Sequence, residues 1–75
     1  MTKQLVLTDE WIQISDGTAK TLQVKSGSVD ICLSPTAPTS EDAWYKITRN
    51  FAYFSADDTV WARRSLGEGI PDCVI

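Results

Sequence analysis

Nucleophilic catalysis needs a nucleophile, a base beside it and a group that orients the base, yet this chain contains no histidine. Serine and threonine are plentiful, but no GxSxG or SxxK signature sets one beside a substitute base. The carboxylates come in adjacent pairs, Asp9-Glu10, Glu41-Asp42 and Asp57-Asp58. All three pairs fall where turns are expected, which reads as solvated turn acids. The glycines follow neither GxGxxG nor phosphate-loop spacing. Cys32 and Cys73 stand far apart without a CxxC, so no zinc template exists. Asp57-Asp58 lacks the surrounding pattern of a calcium loop. The expectation is a protein that is not an enzyme, with no catalytic, cofactor-binding or metal-binding residues.

The unusual residues are aromatic. Three tryptophans in 75 residues is a rich share, and Trp concentrates both in cores and at interface hot spots. The elements that must position them are strands. Runs at 4–8, 11–15, 21–25, 29–33, 44–48, 51–54, 59–64 and 73–75 each close on a turn signal and together fill the chain. They predict a single all-β domain over residues 1–75, a small antiparallel β-sandwich or flattened barrel of seven to eight short strands.

Alternation assigns faces. If Leu22, Val24, Ile31, Leu33, Val60 and Ala62 face the core, then Trp61 and Arg63 point the other way, and Trp11 falls opposite Ile12 and Ile14. Two readings stay open for them. Trp11 or Trp61, with Arg63 beside it, forms part of a protein contact surface; or the indoles bury against the second sheet or lie under Arg63 in a cation–π contact. Asp72-Cys73-Val74-Ile75 reads as a last apolar strand, paired in this chain or with a neighbour. The candidate interface residues are Trp11, Trp61, Arg63, Val74 and Ile75.

The connections are less regular. Ser26-Gly27-Ser28 reads as a tight hairpin turn between residues 21–25 and 29–33, and Arg49-Asn50 as a two-residue turn between the two aromatic runs. Two prolines, Pro35 and Pro38, exclude a central strand from residues 34–40. That segment reads as a surface crossover between two sheets, or as a ligand-contacting loop. Ser40-Glu41-Asp42-Ala43 has room for one helical turn and no more.

Size and charge bound the partners. A chain of 75 residues buries about 60% of its unfolded surface, so its stability is modest unless supplemented. Two cysteines are no disulfide framework and read as small apolar strand residues. Self-association or docking on a larger partner is the remaining supplement. A formal charge of −3 with seven basic residues makes a poor phosphate binder, and Arg63-Arg64 is balanced by Asp57, Asp58 and Glu68. No nucleic acid is expected. No apolar run exceeds four residues, which gives neither a membrane helix nor a signal-peptide core. The expectation is no membrane, with synthesis and use in a cytoplasm or in a particle assembled there.

Three segments carry a resemblance. Thr8-Asp9-Glu10-Trp11-Ile12-Gln13-Ile14-Ser15-Asp16-Gly17 resembles an opening strand, followed by an Asp-Gly turn, found in small β proteins of tailed bacteriophages. Val29-Asp30-Ile31-Cys32-Leu33-Ser34 with Ala37-Pro38 resembles their strand and proline loop, and Thr59-Val60-Trp61-Ala62-Arg63 their near-terminal strand. The middle departs from that pattern, being more aromatic and lacking a glycine-rich stretch. The resemblance implies a virion structural protein without catalysis: a homo-oligomeric capsid decoration, or cementing, protein that contacts a phage capsid protein. A tail- or fibre-associated receptor- or carbohydrate-binding module, contacting a tail protein, is the alternative, and a small phage-encoded inhibitor of a host protein a third.

Overall fold

The computed structural model describes residues 2–75. Among these the chain is strand and turn throughout, with strands β1 (Gln4–Leu5), β2 (Ile12–Asp16), β3 (Lys20–Ser26), β4 (Ser28–Leu33), β5 (Tyr45–Thr48), β6 (Phe51–Phe54), β7 (Thr59–Arg64) and β8 (Asp72–Val74). Each overlaps one of the predicted runs. They form two antiparallel four-stranded sheets, here sheet A in the order β1-β8-β3-β6 and sheet B in the order β2-β7-β4-β5. Both sheets keep two unpaired edges, so the fold is a sandwich and not a closed barrel. Its extents of 32 × 29 × 16 Å fit two sheets stacked about 10 Å apart.

Period-two alternation builds the core. Leu22 and Val24 of β3, Phe54 of β6 and Cys73 of β8 meet Val29 and Ile31 of β4 and Val60 and Ala62 of β7, with Leu7 closing one end. Leu22, Val29, Val60, Ala62 and Cys73 are wholly buried. Leu33 does not join them: it is 46% exposed, because pairing with β5 stops at Ile31 opposite Tyr45 and leaves the end of β4 uncovered. The first run is strand only over Gln4–Leu5, since the chain then leaves sheet A and Thr8 O accepts the N–H of Arg64 from sheet B.

Three connections differ from their sequence reading. Ser26-Gly27-Ser28 is not a hairpin: β3 pairs with β6 and β8, whereas β4 pairs with β5 and β7. Gly27, at φ +77°, turns the chain from one sheet to the other, and a Cβ there would lie 3.0 Å from Pro71 Cα. Two apolar faces on either side of a glycine look the same in sequence whether they share a sheet or oppose each other across a core. Arg49-Asn50 is likewise a passage between sheets, with Arg49 at φ +48°. The proline segment, conversely, is no crossover: it joins β4 to β5, which are neighbours in sheet B. Within it, Asp42 N–H donates to Thr39 O at 3.1 Å, a single turn without a helix.

Candidate functional site

Strand register sets the outer face of sheet B. Opposite the core-facing Ala62 and Ile31, β7 and β4 pair Arg63 with Asp30 and Trp61 with Cys32, while β5 brings Lys46 to the other side of Asp30. Asp30 is thus held between two cations on a buried strand, although its side chain points away from the apolar core. Its Oδ2 accepts from Arg63 Nε at 3.0 Å and its Oδ1 from Ser65 Oγ at 2.7 Å. The pair is well shielded, with side chains 14% exposed for Arg63 and 5% for Asp30.

That ion pair aims the guanidinium. Arg63 Cζ lies 4.4 Å from the ring centre of Trp11 and 4.8 Å from that of Trp44. The two indoles meet edge to face at 6.4 Å and 67°, forming a V around the cation. Each such contact contributes about 0.5–2 kcal/mol. Nε is committed to Asp30, which leaves the terminal amino groups at a cleft of about 340 Å³ lined by Trp11, Pro38, Thr39, Ser40, Trp44 and Arg63. Trp44 is 48% exposed. A guanidinium flanked by indoles and fixed from beneath by a carboxylate can donate hydrogen bonds to acceptor groups that enter the cleft.

The loop of residues 34–44 forms one wall of this cleft and reaches back over Trp61 and Cys32 on the same face. Trp61 Nε1 donates to Ser34 O at 2.9 Å, Cys32 Sγ approaches Ala43 O at 3.4 Å, and Thr39 N–H donates to Asp42 Oδ2 at 2.8 Å. Burial pushes the Cys32 thiol above its ordinary pKa, with Asp42 adding to the effect. Lys46 of β5 and Glu68 pair at 2.7 Å. Their hydrogen bond raises the lysine pKa and lowers that of the carboxyl, and Ser28 Oγ also donates to Glu68.

The five sequence-derived candidates therefore separate. Trp11 and Arg63 come together, but the second indole over Arg63 is Trp44, not Trp61. Trp61 is half-buried beneath the loop with its N–H used internally. Val74 and Ile75 lie on the other sheet, where β8 is flanked by β1 and β3, and Ile75 exchanges backbone hydrogen bonds with Lys3 at 2.8 and 2.9 Å. The terminal strand is paired within its own chain. Trp44 opens the predicted run 44–48, but β5 begins only at Tyr45, and the indole reaches Arg63 from the end of the loop, a placement that the run's pattern does not reveal. Its only sequence signal is the tryptophan itself, following a loop with two prolines.

On sheet A the register places Gln4, Val74, Gln23 and Phe51 in one row across all four strands. Tyr53 stands next to Phe51 on the same face, with ring centres 6.3 Å apart and planes within 6°. Phe51 and Tyr53 are exposed on this face. No protein-family model matches the chain, and neither a curated protein nor a solved structure gives a significant match.

Proposed function

We propose that this chain is a non-enzymatic accessory protein of a bacteriophage virion, a capsid decoration protein that binds a capsid protein by protein–protein contact. The observation that supports this reading is a convergence. The three segments that resemble phage β proteins are distant in sequence, yet Trp11, Asp30, Pro38, Trp61 and Arg63 from those segments gather on the outer face of sheet B. Trp and Arg in a partly desolvated cluster are the residue types that dominate binding energy at protein interfaces. A small contact of this kind becomes effective when many copies sit on one symmetric shell.

The test is quantitative mass spectrometry of purified virions from the phage that encodes the chain. Many copies per particle fit decoration, and loss of those copies on Trp44→Ala would tie attachment to the Trp–Arg cleft. A few copies per particle would move the assignment to a tail module, and zero copies would end the virion reading.

A further inference from the structure

A sandwich with four open edges has to keep each from pairing with other chains, and three of the four carry a recognisable guard. β1 has only two residues. β2 is bulged between Gln13 and Ser15. β5 carries Lys46, whose ammonium is exposed and paired to Glu68. β6 reads Phe-Ala-Tyr-Phe and has no charge, no proline and no register shift.

Its free backbone groups can be assigned. Val24 N–H donates to Asn50 O at 2.9 Å, and hydrogen-bonded pairs alternate along an antiparallel ladder. In the register Leu22↔Ala52 and Lys20↔Phe54, those pairs face β3, so Phe51 and Tyr53 turn their N–H and C=O groups outward. Consistent with this, the Phe51 N–H is met only by its neighbour's side chain, Asn50 Oδ1 at 2.8 Å. An incoming strand carbonyl replaces that exposed amide one for one. The side chains match: Phe51 is 51% exposed, Tyr53 76% and nearby Tyr45 66%. On the inner side, a cleft of about 340 Å³ lies alongside this edge, lined by Ile31, Ile47, Ala52 and Phe54 with Lys46 and Asp58.

We infer that β6 is the docking edge for a second copy of this chain, forming a two-fold dimer in which the two β6 strands pair antiparallel about Ala52. Opposed residues of a ladder point to the same face, so Phe51 of each copy pairs with Tyr53 of the other. All four outward N–H and C=O groups per strand are then used, and four rings share one face. Ala52 opposes Ala52, the small pair that a close non-hydrogen-bonded position accepts most easily. Charge selects the same partner and the same direction. No charged residue lies within β6, so two chains of net charge −3 meet there without like charges in the seam. Arg49 precedes the strand and Asp57 follows it, both exposed and neither in an ion pair among the described residues. Antiparallel pairing carries the Arg49 end of one copy to the Asp57 end of the other, twice. Self-association through β6 holds whether or not the chain rides on a virion.

Sedimentation equilibrium of the full chain over a dilution series tests this, with far-ultraviolet circular dichroism to confirm folding. A reversible monomer–dimer equilibrium is expected. Tyr53→Lys, which puts two ammonium groups at the seam, is expected to weaken association by about tenfold or more. Arg49→Asp alone is expected to weaken it, and Arg49→Asp with Asp57→Arg to restore it. A wild-type chain that stays monomeric at millimolar concentration overturns the inference. So does a trimer, or a dimer indifferent to Tyr53→Lys and to the charge exchange.

Discussion

Asp30 and Arg63 face each other across β4 and β7, joined by the 3.0 Å contact from Nε to Oδ2, and this pair fixes the cation between Trp11 and Trp44. A buried ion pair contributes little to net stability compared with an apolar substitute, but removing one partner leaves the other charged and desolvated. Arg63→Met is therefore expected to cost about 3–5 kcal/mol in urea unfolding. The double variant Asp30→Leu with Arg63→Met is expected to recover much of that. A single-variant cost below about 1 kcal/mol, the range of exposed pairs, would show that the pair is solvated.

Trp44 and Trp61 differ in how far they serve binding and folding. Trp44→Ala is expected to cost about 0.5–2 kcal/mol in unfolding, for its lost contact with Arg63, and to weaken attachment to the proposed capsid partner by about 2 kcal/mol or more, as hot-spot residues do. Trp61→Phe should leave attachment unchanged and act on the fold alone. It removes the bond to Ser34 O, worth about 1 kcal/mol, and frees the proline loop, which limited proteolysis would show as faster cleavage within residues 35–43.

Gly27 and Gly67 both have left-handed φ, at +77° and +81°, but only Gly27 has a close neighbour where a Cβ would stand. Gly67→Ala is expected to cost about 1–2 kcal/mol for the conformation alone. Gly27→Ala has to displace Pro71 as well and should cost clearly more. Equal losses in thermal or urea unfolding would mean that the Pro71 contact gives way freely.

Stability should fall in alkali. Burial raises the Cys73 thiol above its ordinary value of 9.0, with Asp72 adding to the effect, and Cys32 is raised in the same way. A raised folded pKa means that the native state holds its proton more tightly than the unfolded chain. That contribution is complete below pH 9 and disappears as pH climbs through the folded values. Unfolding midpoints measured from pH 7 to 11 should decline above 9, and Cys73→Val should flatten the decline. An unchanged slope in that variant would assign the loss to other groups.

The strands were readable because a half-buried strand writes a period of two into its own residues, as at Leu22 and Val24 or Val60 and Ala62. Their sheet partners were not. Gly27 between two alternating runs carries the same pattern whether the chain folds back within a sheet or turns a corner over a core, and Pro71, which occupies that corner, arrives from far along the chain. The Trp–Arg cleft shows the same division. Trp11 and Arg63 announce an outward face by parity. That Trp44 completes the V, and that Asp30 lies beneath it, depends on the β7-β4-β5 order, which no local signal encodes.

That strand order also bears on how the chain reaches its fold. Of the pairs seen among the described residues, only β4 with β5 joins consecutive strands; the rest bring together segments from opposite parts of the sequence. Ordering so many distant segments before they reward one another places refolding in the slow range, about milliseconds to seconds. The β4-loop-β5 unit is the one piece able to close early. Until β3 arrives, β6 has neither edge covered, so dilute refolding should give a higher yield than concentrated refolding.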